Sequence, residues 1–209
     1  MVRRTKEDAE RTRLQIIEAA RKTFHQCGVS RTSLEKVAAA AGVTRGAVYW
    51  HFADKAALFF AMRETSLAVI DRADAFLFGD ESGDPLDAIE QSMVYFFRTM
   101  STCPAARETY EIMSFRCEYV DEFASVLQEV NRPCVEFQAK LTTAYQQALA
   151  LGIMRPELDP DAMALDSVSF VRGLFNNWLA SSPGTEWRDQ VEDMIHTHVA
   201  LRRITPPRA

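Results

Sequence analysis

The chain has 209 residues, of which 47% are apolar and 25% charged, enough for a small domain fused to a larger body with its own core. No run approaches the roughly 18–20 apolar residues of a membrane-crossing helix. The charged opening MVRRTKEDAERTR holds no signal-peptide core, so a cytoplasmic location and no membrane partner are expected. The net charge of −5 hides a split. Residues 1–55 carry 11 Lys and Arg against 6 Asp and Glu, and the remainder carries 13 against 23. A basic end on an acidic body is the asymmetry of a chain whose one part meets phosphate. Cys27, Cys103, Cys117 and Cys134 form no CxxC pair and read as free thiols, most of them buried filler.

Almost everything reads as helix. Thr5, with Asp8 three residues on, is a candidate N-cap for a first helix that lines Ile16, Ile17, Ala20 and Phe24 along one face. Gly28 ends it in a left-handed conformation. Thr32, Ser33, Leu34 and Glu35 read as a capping box opening a short second helix, with Leu34, Val37, Ala38 and Ala41 inward and Gly42 at its close. Thr44 caps a third helix that turns Val48 and Phe52 inward. Two short helices hinged at a glycine are the helix-turn-helix arrangement.

Asp54 caps a fourth helix running from about Lys55 to Phe78, and the polar stretch 79–84 is the clearest break in the chain. Asp84 and Pro85 restart a helix, with Leu86, Ile89, Met93, Phe96, Phe97 and Met100 recurring every three to four residues. Pro104 opens a short sixth helix to Met113. A long seventh is expected from Tyr119 to Leu151, with Phe123, Leu127, Val130, Cys134, Phe137 and Leu141 on one stripe and a disturbance at Pro133. Asp159 and Pro160 start the eighth, whose stretch Val168–Leu179 is apolar on more than one face and calls for cover by a partner chain. The ninth, from about Glu186 to Arg203, adds Val191, Met194, Ile195 and His198. The expected fold is all-α with about nine helices. An N-terminal three-helix bundle with a helix-turn-helix, residues 1–54, joins a larger helical ligand-binding and dimerisation domain, residues 55–209.

Thr32, Ser33 and Leu34, then Val37 and Ala38, then the run from Ala41 through Gly42, Val43, Thr44, Arg45, Gly46, Ala47, Val48, Tyr49, Trp50, His51 and Phe52 to Lys55 resemble the signature of the TetR family of regulators. The body is similar to the AcrR/TtgR-like branch of multidrug-efflux repressors. Arg4 to Lys6, Glu111 to Met113, Cys117 to Tyr119, and Gly173 with Trp178 and Leu179 carry that second likeness.

At the start of the third helix, Thr44 and Arg45 are positioned to reach base edges, Arg45 gripping guanine O6 and N7. Gly46 lets the backbone approach the groove wall. The resemblance implies phosphate, sugar and thymine-methyl contacts for Tyr49, Trp50 and His51. Lys55 at the head of the fourth helix, and Thr32 or Ser33 at the head of the second, would meet phosphate. One such module reads only a few base pairs, so a homodimer on a (pseudo)palindromic operator is expected. Its interface would come from the eighth and ninth helices through Phe170, Leu174, Trp178, Val191, Ile195 and His198.

The resemblance further implies a small hydrophobic or aromatic effector that releases the operator. It would be faced by Phe96, Tyr110, Met113, Ser114, Arg116, Cys134, Phe137, Leu141 and Val168, with Tyr110, Ser114 and Arg116 as polar anchors. No cofactor or metal is expected. An enzyme is the competing class, yet GxSxG, a phosphate-cradling glycine loop and a metal-spaced Cys/His cluster are all missing from the sequence. His196 and His198, two apart on a helix, make a poor chelate. Two other readings remain open: oxidation of Cys103 or Cys117 in place of a ligand, and a DNA-binding regulator without effector.

Overall fold

The computed structural model describes residues 6–78, 83–182 and 184–204. Among them are nine α-helices: α1 Lys6–Cys27, α2 Leu34–Ala41, α3 Arg45–His51, α4 Lys55–Phe78, α5 Pro85–Thr102, α6 Pro104–Phe115, α7 Val126–Ala150, α8 Pro160–Ala180 and α9 Val191–Ala200. Two 3-10 turns, Asp121–Phe123 and Glu186–Gln190, precede α7 and α9. The described residues contain no strand, only an isolated antiparallel bridge between Met154 and Arg203. The all-α expectation therefore holds. Thr5 and most of the 79–84 break lie outside the described residues. No described helix is long and apolar enough to cross a membrane.

The chain forms two compact units: Met1–Ala68 with Pro104–Val130, and Val69–Cys103 with Asn131–Ala209. The first reaches well beyond residue 54, and the reason is its core. Ile16, Phe24, Val37, Val48, Leu58 and Phe59 share one buried cluster with Ile112, Met113, Phe123 and Val126. Burying that apolar surface together is the main drive to fold this unit, so α6 cannot be peeled from α1 without exposing it.

Local signals position the first three helices. Gly28 takes φ +81 and donates its N–H to the Phe24 carbonyl, ending α1. Gly42, at φ +66, donates to Ala39, and Val43 donates to Ala38, which is a Schellman close for α2. Thr44 caps α3 by accepting from Ala47 N–H at 3.2 Å. The cap of α2 lies one residue later than a box starting at Thr32. Ser33 is the N-cap and accepts from Lys36 N–H, because Thr32 spends its hydroxyl on the Gly28 carbonyl at 2.8 Å.

The second unit contains α5, α8 and α9, the C-terminal part of α4 and most of α7. Asp84 accepts from the N–H groups of Leu86 and Asp87, and Asp159 from Ala162, so both Asp-Pro starts act as read. Its core holds Leu86, Ile89, Met93, Met100, Leu141, Tyr145, Val191 and Ile195, with an edge-to-face aromatic cluster of Phe96, Phe97 and Phe175 beside Trp178.

Two helix starts differ from expectation. α7 begins at Val126, not Tyr119, because Val120 is extended and Asp121 sits at φ +49, which breaks the helical path. The expected stripe is correspondingly uneven: Phe123 and Leu141 are buried, Val130, Cys134 and Phe137 half-buried, and Leu127 exposed. The stretch Glu186–Gln190 is a 3-10 turn, so α9 proper starts at Val191.

Candidate functional site

Val48 and Phe52 bury the inner face of α3 against the first unit's core, which turns Arg45, Gly46, Tyr49 and Trp50 outward. Trp50 is 71% exposed and Tyr49 44%. Leaving so much aromatic surface in water beside cationic groups is unfavourable for the free protein and suits stacking or methyl contact on a ligand. Arg45 is not loose on this face. Its Nε lies 3.0 Å from a carboxylate oxygen of Glu35 on α2, its Nη2 3.5 Å from the Tyr49 hydroxyl, and its Cζ 5.2 Å from the Tyr49 ring centroid. His51 is half-buried, with its ring edge-on to Trp50 at 4.4 Å.

At Gly46 an added Cβ would meet nothing nearer than the Thr44 hydroxyl at 3.9 Å, an ordinary contact. The fold does not demand glycine there, so the space it leaves is free for something approaching from outside. Ser33 and Thr44 are exposed caps on the same pair of helices. Thr32 does not join them: it is 2% exposed and faces inward. Lys55, the first residue of α4, points its ammonium toward the Phe123 ring, 5.5 Å from the centroid. Asp54 satisfies the Ala57 N–H at the same helix start.

The residues expected to face an effector divide between the units. In the first, Met113 belongs to the buried core, Tyr110 packs against it half-buried, and Ser114 and Arg116 are exposed. The Arg116 carbonyl accepts from Val29 N–H at 2.8 Å, which ties the end of α6 to the exit of α1. In the second unit, Leu141 and Val168 are core residues, while Phe96, Cys134 and Phe137 are half-buried.

The expected interface residues divide by burial. Leu174, Trp178, Val191 and Ile195 are buried within their own protomer. Phe170 and His198 are half-buried and stacked on each other, centroids 3.9 Å apart. With Met194 and Leu201 they line a shallow groove of about 420 Å³. Leu201 is 65% exposed and Met194 38%. The outward apolar face of α8 and α9 is therefore this one, with Leu165 also exposed.

The thiols give no activated nucleophile at the position singled out. Burial pushes the Cys117 thiol up to about 11, with Glu118 adding to the rise, and burial also raises Cys134. Among the described residues no group of His, Cys, Asp and Glu could hold a metal ion.

Comparison with known proteins identifies the family. Residues 16–62 match the family model "Bacterial regulatory proteins, tetR family", and residues 84–203 match "MAATS-type transcriptional repressor, C-terminal region". The HTH-type transcriptional regulator TtgR of Pseudomonas putida is 33% identical over 206 residues, covering 99% of this chain and 98% of that one. NalD, the secondary repressor of the MexAB-OprM multidrug efflux pump in Pseudomonas aeruginosa, superposes with a TM-score of 0.84 at 30% identity, covering 95% of this chain and 98% of that chain. A SmeT–triclosan complex superposes with a TM-score of 0.79 at 25% identity, covering 94% and 96%. The chain belongs to the TetR family of bacterial regulatory proteins, with a MAATS-type repressor C-terminal region.

Proposed function

We propose that this protein is a transcriptional repressor that binds a (pseudo)palindromic operator as a homodimer, is released by a small hydrophobic effector, and controls an efflux pump. The observation that carries the reading is the outward face of α3, where Arg45, Tyr49 and Trp50 stand exposed around the side-chain-free Gly46. That set suits a major groove: a forked cation for guanine, aromatic surface for sugar and thymine methyl, and a gap for close approach. The printed role of NalD as a repressor of a multidrug efflux pump, and the complex of SmeT with triclosan, support the effector class.

Homodimerisation uses the face of α8 and α9 that presents Leu165, Phe170, Met194 and Leu201. Phe96, Cys134 and Phe137 are the second unit's effector-facing candidates, since each is only half-buried. A non-enzymatic role in the cytoplasm, at the chromosome, goes with this reading, because operator DNA is found there. The test is footprinting on the DNA upstream of the gene, with and without triclosan or other lipophilic phenols. Protection of one palindrome that such a compound abolishes is expected. Binding of the compound with unaltered protection would reject effector release.

A further inference from the structure

The ion pair between Glu35 and Arg45 joins two helices across the turn, with both side chains well exposed. An exposed pair of this kind contributes little to stability, because water screens it and two long side chains must be ordered to form it. A carboxylate on a surface meant for phosphate is also unfavourable for binding as such. Its placement, however, is specific. Glu35 takes the Nε edge of the guanidinium, 3.0 Å away, and Tyr49 supports Nη2 and the guanidinium plane from one turn further along α3. Nη1 has no bond to a described residue, and with the second Nη2 hydrogen it can grip guanine O6 and N7 end-on.

We infer that Glu35 is a positioning residue for base readout: it fixes the Arg45 fork in one orientation before DNA arrives and so sets specificity at one base pair in each half-site. The inference rests on the reading of Arg45 as a base-contacting residue. An arginine side chain has four rotatable bonds, and a fork held in advance loses less conformational freedom when it binds. A free one can swing to the nearest phosphate and bind without reading the base. Glu35 therefore exchanges some general affinity for discrimination. The electrostatics agree: the Tyr49 hydroxyl and then Glu35 raise the Arg45 guanidinium above its ordinary value. The Glu35 carboxyl lies below its own, held first by its backbone N–H and the Ser33 hydroxyl and then by Arg45.

The experiment is selection from a randomised duplex library by the full-length wild type and by the Glu35→Ala, Glu35→Gln, Arg45→Ala and doubly substituted proteins, with melting temperatures measured alongside. Glu35→Ala should reduce base preference at one symmetry-related pair of positions by about fivefold, while keeping or raising affinity for duplexes changed there. Glu35→Gln, still able to accept from Nε, should retain part of the preference. Adding Glu35→Ala to Arg45→Ala should change nothing further at that position. A Glu35→Ala protein with the wild-type preference would overturn the inference, as would a uniform loss of affinity at all positions. If Arg45→Ala itself keeps full preference, it is the reading of Arg45 that fails. If only Arg45→Ala loses it, the role of Glu35 alone is removed.

Discussion

His25, near the end of α1, holds its Nε2 2.6 Å from a carboxylate oxygen of Glu111 on α6. One turn earlier, Arg21 pairs with Glu108 on α6 and with Glu18 on its own helix. The helix that opens the DNA-binding part is thus fastened to α6 by the Arg21–Glu108 ion pair and the His25–Glu111 hydrogen bond as well as by the shared core. A displacement of α6 must either carry α1 along or break those pairs.

Arg21 is the stronger of these fasteners because its side chain is almost fully buried while its carboxylate partners reach water. Arg21→Met should lower the unfolding free energy by about 1–3 kcal/mol, less than for a fully buried pair because Glu108 and Glu18 can rehydrate. Urea denaturation checks this, and an unchanged midpoint would contradict it.

Gly46 separates folding from reading. With no steric demand for glycine in the fold, Gly46→Ala should raise stability by up to about 1 kcal/mol through helix propensity. The same methyl should weaken operator binding, since it fills the gap facing the groove. Thermal melts and operator titration should therefore move in opposite directions.

His198 supplies a pH signature. Burial, aided by the nearby Arg202 cation and opposed by Asp166, lowers its imidazole to about 4. The ring ends a hydrogen-bonded chain in which the Tyr145 and Ser167 hydroxyls lie 2.8 Å apart and the Ser167 hydroxyl lies 3.1 Å from His198 Nε2, a contact that a neutral imidazole satisfies. The unfolded chain binds the proton near 6.5, so it holds more protons than the native state between about 4 and 6.5. The contribution is present above 6.5 and is lost as pH falls toward 4. An NMR titration of the imidazole should give a midpoint near 4; one near 6.5 would refute the neutral ring.

Much of the site was legible locally and some of it was not. Asp84 with Pro85, Asp159 with Pro160, and the Gly42 and Thr44 pair on either side of the turn are signals contained within four residues, and each acts as read. The α2 cap slipped by one because Thr32 and Ser33 are both competent caps, and only the position of the Gly28 carbonyl chooses between them. Asp121 carries no mark that it will enter the left-handed region, so the late start of α7 was hidden. On α8 and α9 apolar residues occur on both faces. Periodicity shows that two faces exist but not which is inward, and the interface candidates Leu174, Trp178, Val191 and Ile195 fell on the buried side. The Glu35–Arg45 pair depends on how α2 crosses α3, which no local spacing encodes.

The proposed use of the outward face can be tested at two neighbouring residues of α9. Met194→Glu places a charge on the outward groove and should shift the protein from dimer to monomer in light scattering, with a melting temperature close to wild type once concentration dependence is allowed for. Ile195→Ala instead empties a fully buried site and should cost about 2–5 kcal/mol in unfolding. The reverse pattern would place the interface on the other face.

Operator reading by paired α3 helices is tested by selection of duplex DNA by the wild-type protein, followed by footprinting of the winning sequence. One inverted repeat is expected, its half-sites centred about one helical turn apart, roughly 34–36 Å, with a preference lost on Arg45→Ala. Uniform coating of DNA without a preferred sequence, or no binding even at low ionic strength, would contradict it.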